Sequence, residues 1–345
     1  MQAAQTVVLI ASPLEEEHVA HIRAVAPDRL LVLHDPLLLP QPRFPGDHTK
    51  DMQRTPEQQG RWQGMLARAS VLFDLPAAGD IPHLSRLAWV QATSTGVGPA
   101  VARLGLDRLG VLVTTARGVH AGPLAEWVFM ALLTHLRGYD RVRAEQRERR
   151  WERHAAEDLA GRTMLLIGAG DLARGTARVA KAMDMRVVAV ARDPGRARPH
   201  ASSFDAVMPA SELRLALGMA DVVVMTAPHT PQTERMLDAA AFAQMRPGVL
   251  FINIGRGQTV DHAALADALR SGQVAFAGLD VTDPEPLPQD SPLWSMPNVF
   301  ISPHSASTVA RENGRITEIF CSNLASWLDG RRIEMRNVLD TKLLY

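Results

Sequence analysis

Short apolar runs separated by mixed, amphipathic stretches recur along the whole chain, and they predict alternating strands and helices. In the first third the runs fall at residues 7–10, 30–33, 71–73, 87–90 and 111–113. A second series follows at 164–167, 186–190, 222–225, 249–252, 276–279 and 299–301, with helical spacers such as 260–270. A run as uniformly apolar as Val222-Val223-Val224-Met225 suits a strand covered by helices on both faces, the habit of parallel sheets. The expected fold is α/β, with two doubly wound parallel sheets. The proline-rich stretches 36–45 and 283–292 read as loops, the second interrupting an otherwise regular series. Residues 137–153 are rich in arginine but interleave Asp140, Glu145, Glu148 and Glu152, with Glu145 and Arg149 spaced as an i,i+4 pair. A solvated or subunit-facing helix is expected there, not a nucleic-acid surface.

Composition narrows the class of partner. At 345 residues the chain exceeds the usual single core and suits two domains. Its 37 basic and 37 acidic residues leave no net charge, which argues against nucleic acid or an anionic membrane and points to a small molecule. No apolar run has the length of a membrane span, and the N-terminal stretch reads as a strand followed by a helix start. A single cysteine, Cys321, excludes an internal disulfide framework and fits a reducing cytoplasm. No metal site is expected.

The candidate chemistry lies in the second series. The run Leu165-Leu166-Ile167 leads into Gly168-Ala169-Gly170-Asp171-Leu172-Ala173 and then into a helical pattern. This is the order of a dinucleotide cradle: the first glycine turns the chain, the second admits a pyrophosphate, and a small third residue lets helix and strand pack closely. Asn253-Ile254-Gly255-Arg256-Gly257 then sets an arginine between glycines at an expected strand end, where its planar fork could hold a carboxylate. Gly278-Leu279-Asp280-Val281 leads to Asp283-Pro284-Glu285-Pro286, and Ser302-Pro303-His304 places an imidazole just past the last run. Each of these has an ordinary structural reading by itself. Together they describe a reaction. A carboxylate fixes the imidazole tautomer and keeps its proton available to a carbonyl oxygen, the arginine orients the substrate carboxylate, and a nicotinamide supplies hydride. The expected reaction interconverts a 2-keto acid and a 2-hydroxy acid.

These residues resemble the signatures of the D-isomer-specific 2-hydroxyacid dehydrogenases, Gly-x-Gly-x-x-Gly, Asn-x-Gly-Arg-Gly, Asp-x-x-x-x-Glu-Pro and Pro-His, and the resemblance extends over almost the whole chain. Within that family it resembles the NADP-preferring glyoxylate/hydroxypyruvate reductase-like members. The resemblance implies that Arg256 binds the substrate carboxylate, Glu285 is the paired acid and His304 is the general acid/base. It assigns Gly168, Gly170, Asp171, Leu172, Ala227, Pro228, Ile254 and Asp280 to the coenzyme. Leu75, Thr95 and Gly96 then fall to the substrate, with Trp294 a further candidate for the pocket lining. It also implies two Rossmann-like domains with the active cleft between them, a discontinuous outer domain of residues 1–118 plus 306–345 and a coenzyme domain of 119–305. A homodimer in which residues 147–151 cross to the partner is expected on the same ground. Three positions depart from the pattern: Ala173 for the third glycine, Gly98 where relatives carry an acid or amide, and Asp171, whose carboxylate is expected to turn away from a pyrophosphate.

Coenzyme choice follows from the end of the run 186–190. An NAD-preferring cradle carries an acid there, whereas this chain has Ala191-Arg192-Asp193-Pro194, with Arg196 and Arg198 behind. Arg192 is expected to hold a 2′-phosphate, so NADP is preferred and NAD remains usable. Two rival readings stay open on the same scaffold, a phosphite-type dehydrogenase and a coenzyme-sensing corepressor. Glu285 argues against a formate-oxidising relative, which carries glutamine at that position.

Overall fold

The computed structural model describes residues 5–49, 52–197 and 202–340. The chain divides into two compact units, Met1–Val119 with Thr308–Tyr345, and His120–Ser307.

The first unit contains β1 (Thr6–Ile10), β2 (Leu30–Leu33), β3 (Val71–Phe73), β4 (Trp89–Gln91) and β5 (Leu112–Thr114). They form one parallel sheet in the order β2-β1-β3-β4-β5. Side chains alternate between its faces: Val8, Ile10, Val71 and Phe73 join one core with the C-terminal helix Glu312–Leu328. Leu9, Leu72 and Val90 join the other, beneath helix Pro56–Arg68. That second helix starts in a capping box, Thr55 accepting from the Gln58 N–H while the Gln58 side chain accepts from the Thr55 N–H. Cys321 packs in the first of these cores, and burial pushes its thiol up to about 12, leaving it a protonated packing group.

The second unit holds seven strands: β6 (Thr163–Ile167), β7 (Arg186–Ala191), β8 (Ala206–Pro209), β9 (Val222–Met225), β10 (Val249–Asn253), β11 (Val274–Leu279) and β12 (Val299–Ile301). Their order, β12-β11-β10-β9-β6-β7-β8, is parallel throughout. Leu165, Ile167, Val223, Met225 and Phe251 face one core; Met164, Leu166, Val222, Val224 and Ile252 face the other. Burial on both faces is why these strands read as unbroken apolar runs. Helix Asp171–Ala182 buries Ala173, Thr176, Ala177 and Ala180, so it sits close against helix Ala121–Leu136. A Cβ at Gly175 would lie 2.6 Å from the Ala121 carbonyl oxygen, so the two helices have no room for a side chain there. Among the described residues no helix is long and apolar enough to cross a membrane, and no group of three or more His, Cys, Asp or Glu could hold a metal ion.

The α/β reading with two parallel sheets is what the structure shows, and three local expectations are corrected. Strand β8 has no counterpart among the expected runs: it is a partly buried edge strand ending in proline, so its sequence carries little apolar signal. Part of the stretch expected as loop at 36–45 is a 3-10 helix, Pro36–Leu38, with Asp35 capping the Leu37 N–H. The expected Glu145–Arg149 pair does not form. Helix Tyr139–Arg147 ends before Arg149, which takes a left-handed conformation (φ 56°), and Glu145 pairs with Arg141 at 2.7 Å instead.

Candidate functional site

Residues singled out in the second unit gather at the carboxyl ends of its parallel strands, the edge at which open α/β sheets bind ligands. The strand order reverses between β6 and β9, so the chain leaves these two neighbours in opposite directions, the kind of switch point at which such sheets bind ligands. Gly168 follows β6 with φ 115°, a conformation that favours glycine. A Cβ at this position would lie 2.7 Å from Thr226 Oγ1 and 3.3 Å from the Ala227 nitrogen, so the turn is filled by the two residues that follow β9. Gly170 precedes helix Asp171–Ala182, whose first N–H groups are directed out of the helix start beside Leu172. The Asp171 carboxylate is bonded by the Arg174 guanidinium one turn along, which offsets its charge at this anion-binding end. These features fit a dinucleotide: a glycine turn without room for a side chain, a helix start beside it and a carboxylate paired with Arg174.

At the end of β7 the strand runs one residue beyond expectation, to Ala191. Arg192 is exposed, and Asp193 is held locally, its Oδ1 accepting from the Gly195 N–H at 2.9 Å as the short helix Pro194–Ala197 begins. Arg196 falls in that helix, and Arg198 lies outside the described residues.

Arg256, Glu285 and His304 follow β10, β11 and β12, three strands adjacent in the sheet. The loop after β10 is tied down by Asn253, which sequence reasoning noted only as part of a motif. Its Oδ1 accepts from the Gly255 N–H (3.0 Å) and its Nδ2 donates to the Arg256 carbonyl (3.1 Å). Thr259 Oγ1 donates to the same carbonyl at 2.6 Å. The Arg256 guanidinium folds back, Nη1 donating to the Gly255 carbonyl at 2.7 Å. Burial draws its pKa below the ordinary arginine value, and the charge of Glu285 opposes that shift. At Gly257 a Cβ would fall 1.9 Å from the Thr282 carbonyl oxygen, so the arginine loop and the acid-bearing loop touch backbone to backbone.

Glu285 sits in a loop with two cis X-Pro bonds, Asp283–Pro284 and Glu285–Pro286. Its Oε1 accepts from the Thr282 N–H (3.1 Å), and its Oε2 lies 2.9 Å from His304 Nδ1. A carboxylate only accepts, so Nδ1 carries a proton and Nε2 is the atom left for a substrate. His304 has φ 51°, uncommon for a residue with a side chain, and its N–H donates to the Asp280 carbonyl at 2.8 Å. The buried Asp280 carboxylate holds the rest of this turn: Oδ1 accepts from Ser302 Oγ (2.6 Å) and from the Ser305 and Ala306 N–H groups (both 2.9 Å). Ser302 and Thr282 were not picked out from sequence, since nothing local marks a serine or a backbone N–H as a partner of a distant carboxylate. His262 was missed as well; burial lowers its pKa beside Asp283 and Asp261, which oppose the shift.

The remaining positions are placed as follows. Ala227 and Ile254 are buried after β9 and β10, Pro228 follows Ala227, and Trp294 is 53% exposed in the 3-10 turn Pro292–Ser295. In the first unit Leu75 follows β3 and packs into the core at 9% exposure, while Thr95 and Gly96 lie in the loop between β4 and helix Gly98–Leu104, which begins at the departing Gly98.

The sequence profile of "D-isomer specific 2-hydroxyacid dehydrogenase, NAD binding domain" matches residues 129–306. The D-3-phosphoglycerate dehydrogenase of Mycobacterium bovis is 34% identical over 270 residues, 74% of this chain and 50% of that protein. The chain spans about half the length of the D-3-phosphoglycerate dehydrogenases it matches. A D-isomer specific 2-hydroxyacid dehydrogenase family protein from Aeromonas salmonicida overlays with a TM-score of 0.81 at 29% identity, covering 98% of this chain and 100% of that one. An NADPH-dependent glyoxylate/hydroxypyruvate reductase from Sinorhizobium meliloti, solved with NADP and sulfate, overlays at 0.74 and 25% identity, covering 99% and 100%. The profile takes in every strand of the second sheet and the solved relatives overlay nearly the entire chain, so the chain belongs to the D-isomer specific 2-hydroxyacid dehydrogenase family.

Proposed function

We propose that the protein is an NADP-preferring reductase that converts a small 2-keto acid to the D-2-hydroxy acid. The observation that carries this reading is the Glu285 Oε2 to His304 Nδ1 pair at 2.9 Å, set on strand ends next to the one that bears Arg256. Arg256 leaves the Gly255 carbonyl to grip the substrate carboxylate and aligns the keto group. His304 presents a protonated Nε2 to the keto oxygen and stabilises the charge that develops on it. A bound nicotinamide supplies the hydride. Glu285 fixes the imidazole ring and balances its positive charge. Asp280, through Ser302 and the Ser305 and Ala306 N–H groups, keeps the His304 turn in place. In this reading residues 119–305 form the coenzyme domain. The segments 1–118 and 306–345 form the substrate domain, which supplies Leu75, Thr95 and Gly96.

Glu285→Gln keeps the shape of the pair and removes its charge. The imidazolium loses an anionic neighbour, so kcat for keto-acid reduction is expected to fall roughly tenfold to a hundredfold, the worth of a hydrogen bond to a charged group. A kcat within about twofold of wild type contradicts the pairing.

NADP preference is supported by Ala191 at the end of β7, by Arg192 beside it and by the local engagement of Asp193. The Sinorhizobium meliloti relative, which is NADPH-dependent, offers a parallel. In Arg192→Ala the Kd for NADPH is expected to rise roughly tenfold to a hundredfold, the worth of one or two hydrogen bonds to a charged group, with NADH within about twofold. Titration by nicotinamide fluorescence reads both; equal weakening for the two coenzymes sinks the assignment.

A homodimer in the cytoplasm completes the proposal. Trp151 is 97% exposed at the end of the segment 147–151, in keeping with an arm that docks on a partner. Sedimentation velocity at micromolar concentration tests it, a monomer being the contrary result. The lone buried Cys321 suits a reducing compartment.

A further inference from the structure

The carboxyl edge of the first sheet holds a feature that the proposed reaction does not use. Asp74, the residue after β3, has φ 83°, a conformation seldom taken by a residue with a side chain, and it is 4% exposed. Its N–H donates to the Gln91 carbonyl at 2.7 Å. Its Oδ1 accepts from the Leu75 N–H (2.7 Å) and from Thr93 Oγ1 (3.0 Å). One buried carboxylate therefore joins the end of β3 to the end of β4. The β4 side is braced further back as well. Gln91 Oε1 accepts from Thr114 Oγ1 (2.8 Å), Trp89 Nε1 donates to the same hydroxyl (2.8 Å), and the Ala116 N–H donates to the Ser94 carbonyl (3.2 Å). Thr93 and Val97 are buried, whereas Ser94 and Gly96 between them are exposed, so a fixed base presents a short open loop.

We propose that Asp74 is a positioning residue for substrate, holding the Leu75 segment and the Thr95–Gly96 loop in one fixed relation so that the Thr95 and Gly96 N–H groups are set to receive a 2-keto acid carboxylate. The inference rests on the functional reading above. Backbone held in a rare conformation by surrounding bonds is the mark of a site organised for binding, and a preorganised anion receptor loses affinity when its parts move independently. The effect belongs to substrate affinity, since the carboxylate bonds described above run to Leu75 and Thr93 at the ends of β3 and β4.

Asp74→Gly is the decisive variant, because glycine accepts φ 83° without strain and only the carboxylate is lost. Thr93→Val removes the other half of the link and keeps the volume. Asp74→Asn retains an accepting oxygen and serves as the rescue. KM for the best 2-keto acid and the Kd for oxamate on the NADPH complex are expected to rise about tenfold in Asp74→Gly and roughly threefold in Thr93→Val. Both should return to within about twofold of wild type in Asp74→Asn. The kcat and the Kd for NADPH alone should stay within about twofold in all three. Unchanged KM and oxamate Kd in Asp74→Gly and Thr93→Val, with wild type turning over, overturn this inference alone, as does a fall in kcat or NADPH affinity of the same size as the rise in KM. Wild-type protein that reduces no 2-keto acid and binds no oxamate overturns the functional reading and this inference with it.

Discussion

Replacing His304 with alanine is expected to lower kcat for reduction of the best 2-keto acid roughly 10²- to 10⁴-fold, the usual contribution of one positioned general acid. The coenzyme should still bind. His304 lies after β12 at one end of the sheet, while the glycine turn and Arg192 lie after β6 and β7. The turn itself should survive, because Asp280 holds it through Ser302 Oγ and the N–H groups of Ser305 and Ala306, and none of these bonds uses the imidazole. Alanine at φ 51° adds some backbone strain, so His304→Asn, an amide that tolerates this conformation, separates loss of the acid from disturbance of the turn. Steady-state kinetics beside an NADPH titration reads the outcome. Near-normal turnover in both variants removes His304 as the proton donor.

Arg256→Ala carries the second large expected effect. The side chain is partly buried, its own carbonyl is bonded by Asn253 and Thr259, and its fork rests on the Gly255 carbonyl until a stronger acceptor arrives. Removing a preorganised charged donor that both grips the carboxylate and aligns the keto group should cost roughly 10²–10³-fold in kcat/KM. Arg256→Lys keeps the charge and loses the planar fork, so it should recover part of the binding and little of the alignment. KM is therefore expected to improve more than kcat from Ala to Lys. If the lysine variant restored kcat fully, charge alone would be the requirement and the bidentate role would be wrong.

Much of the molecule was legible because the determining signals are local. Parallel strands buried on both faces announce themselves as apolar runs, and Val222–Met225 is read at once. Gly168, Gly255 and Gly257 were visible as glycines, and the structure supplies the reason: each leaves room for backbone from another strand end, Thr226 and Ala227 at the first, Ala227 at the second, Thr282 at the third. The edge strand β8 was silent because half-buried positions and a terminal proline erase the pattern. Long-range roles were silent for a different reason. Asp280 was picked out beside the coenzyme, yet its observed bonds run to Ser302, Ser305 and Ala306, residues more than twenty positions away. Asp171 was expected to turn from the phosphates; its pairing with Arg174, one helical turn on, depends on a rotamer that sequence does not state. Asp74 offered no signal, because its conformation is imposed by β3 and β4 together.

The central claim is tested most directly by mixing the wild-type protein with NADPH or NADH and a panel of small 2-keto acids, following coenzyme oxidation and determining the configuration of the product. The account predicts turnover of at least one 2-keto acid to the D-2-hydroxy acid, with kcat/KM higher for NADPH than for NADH. No oxidation with any 2-keto acid, an L-configured product, or equal or better use of NADH would contradict it.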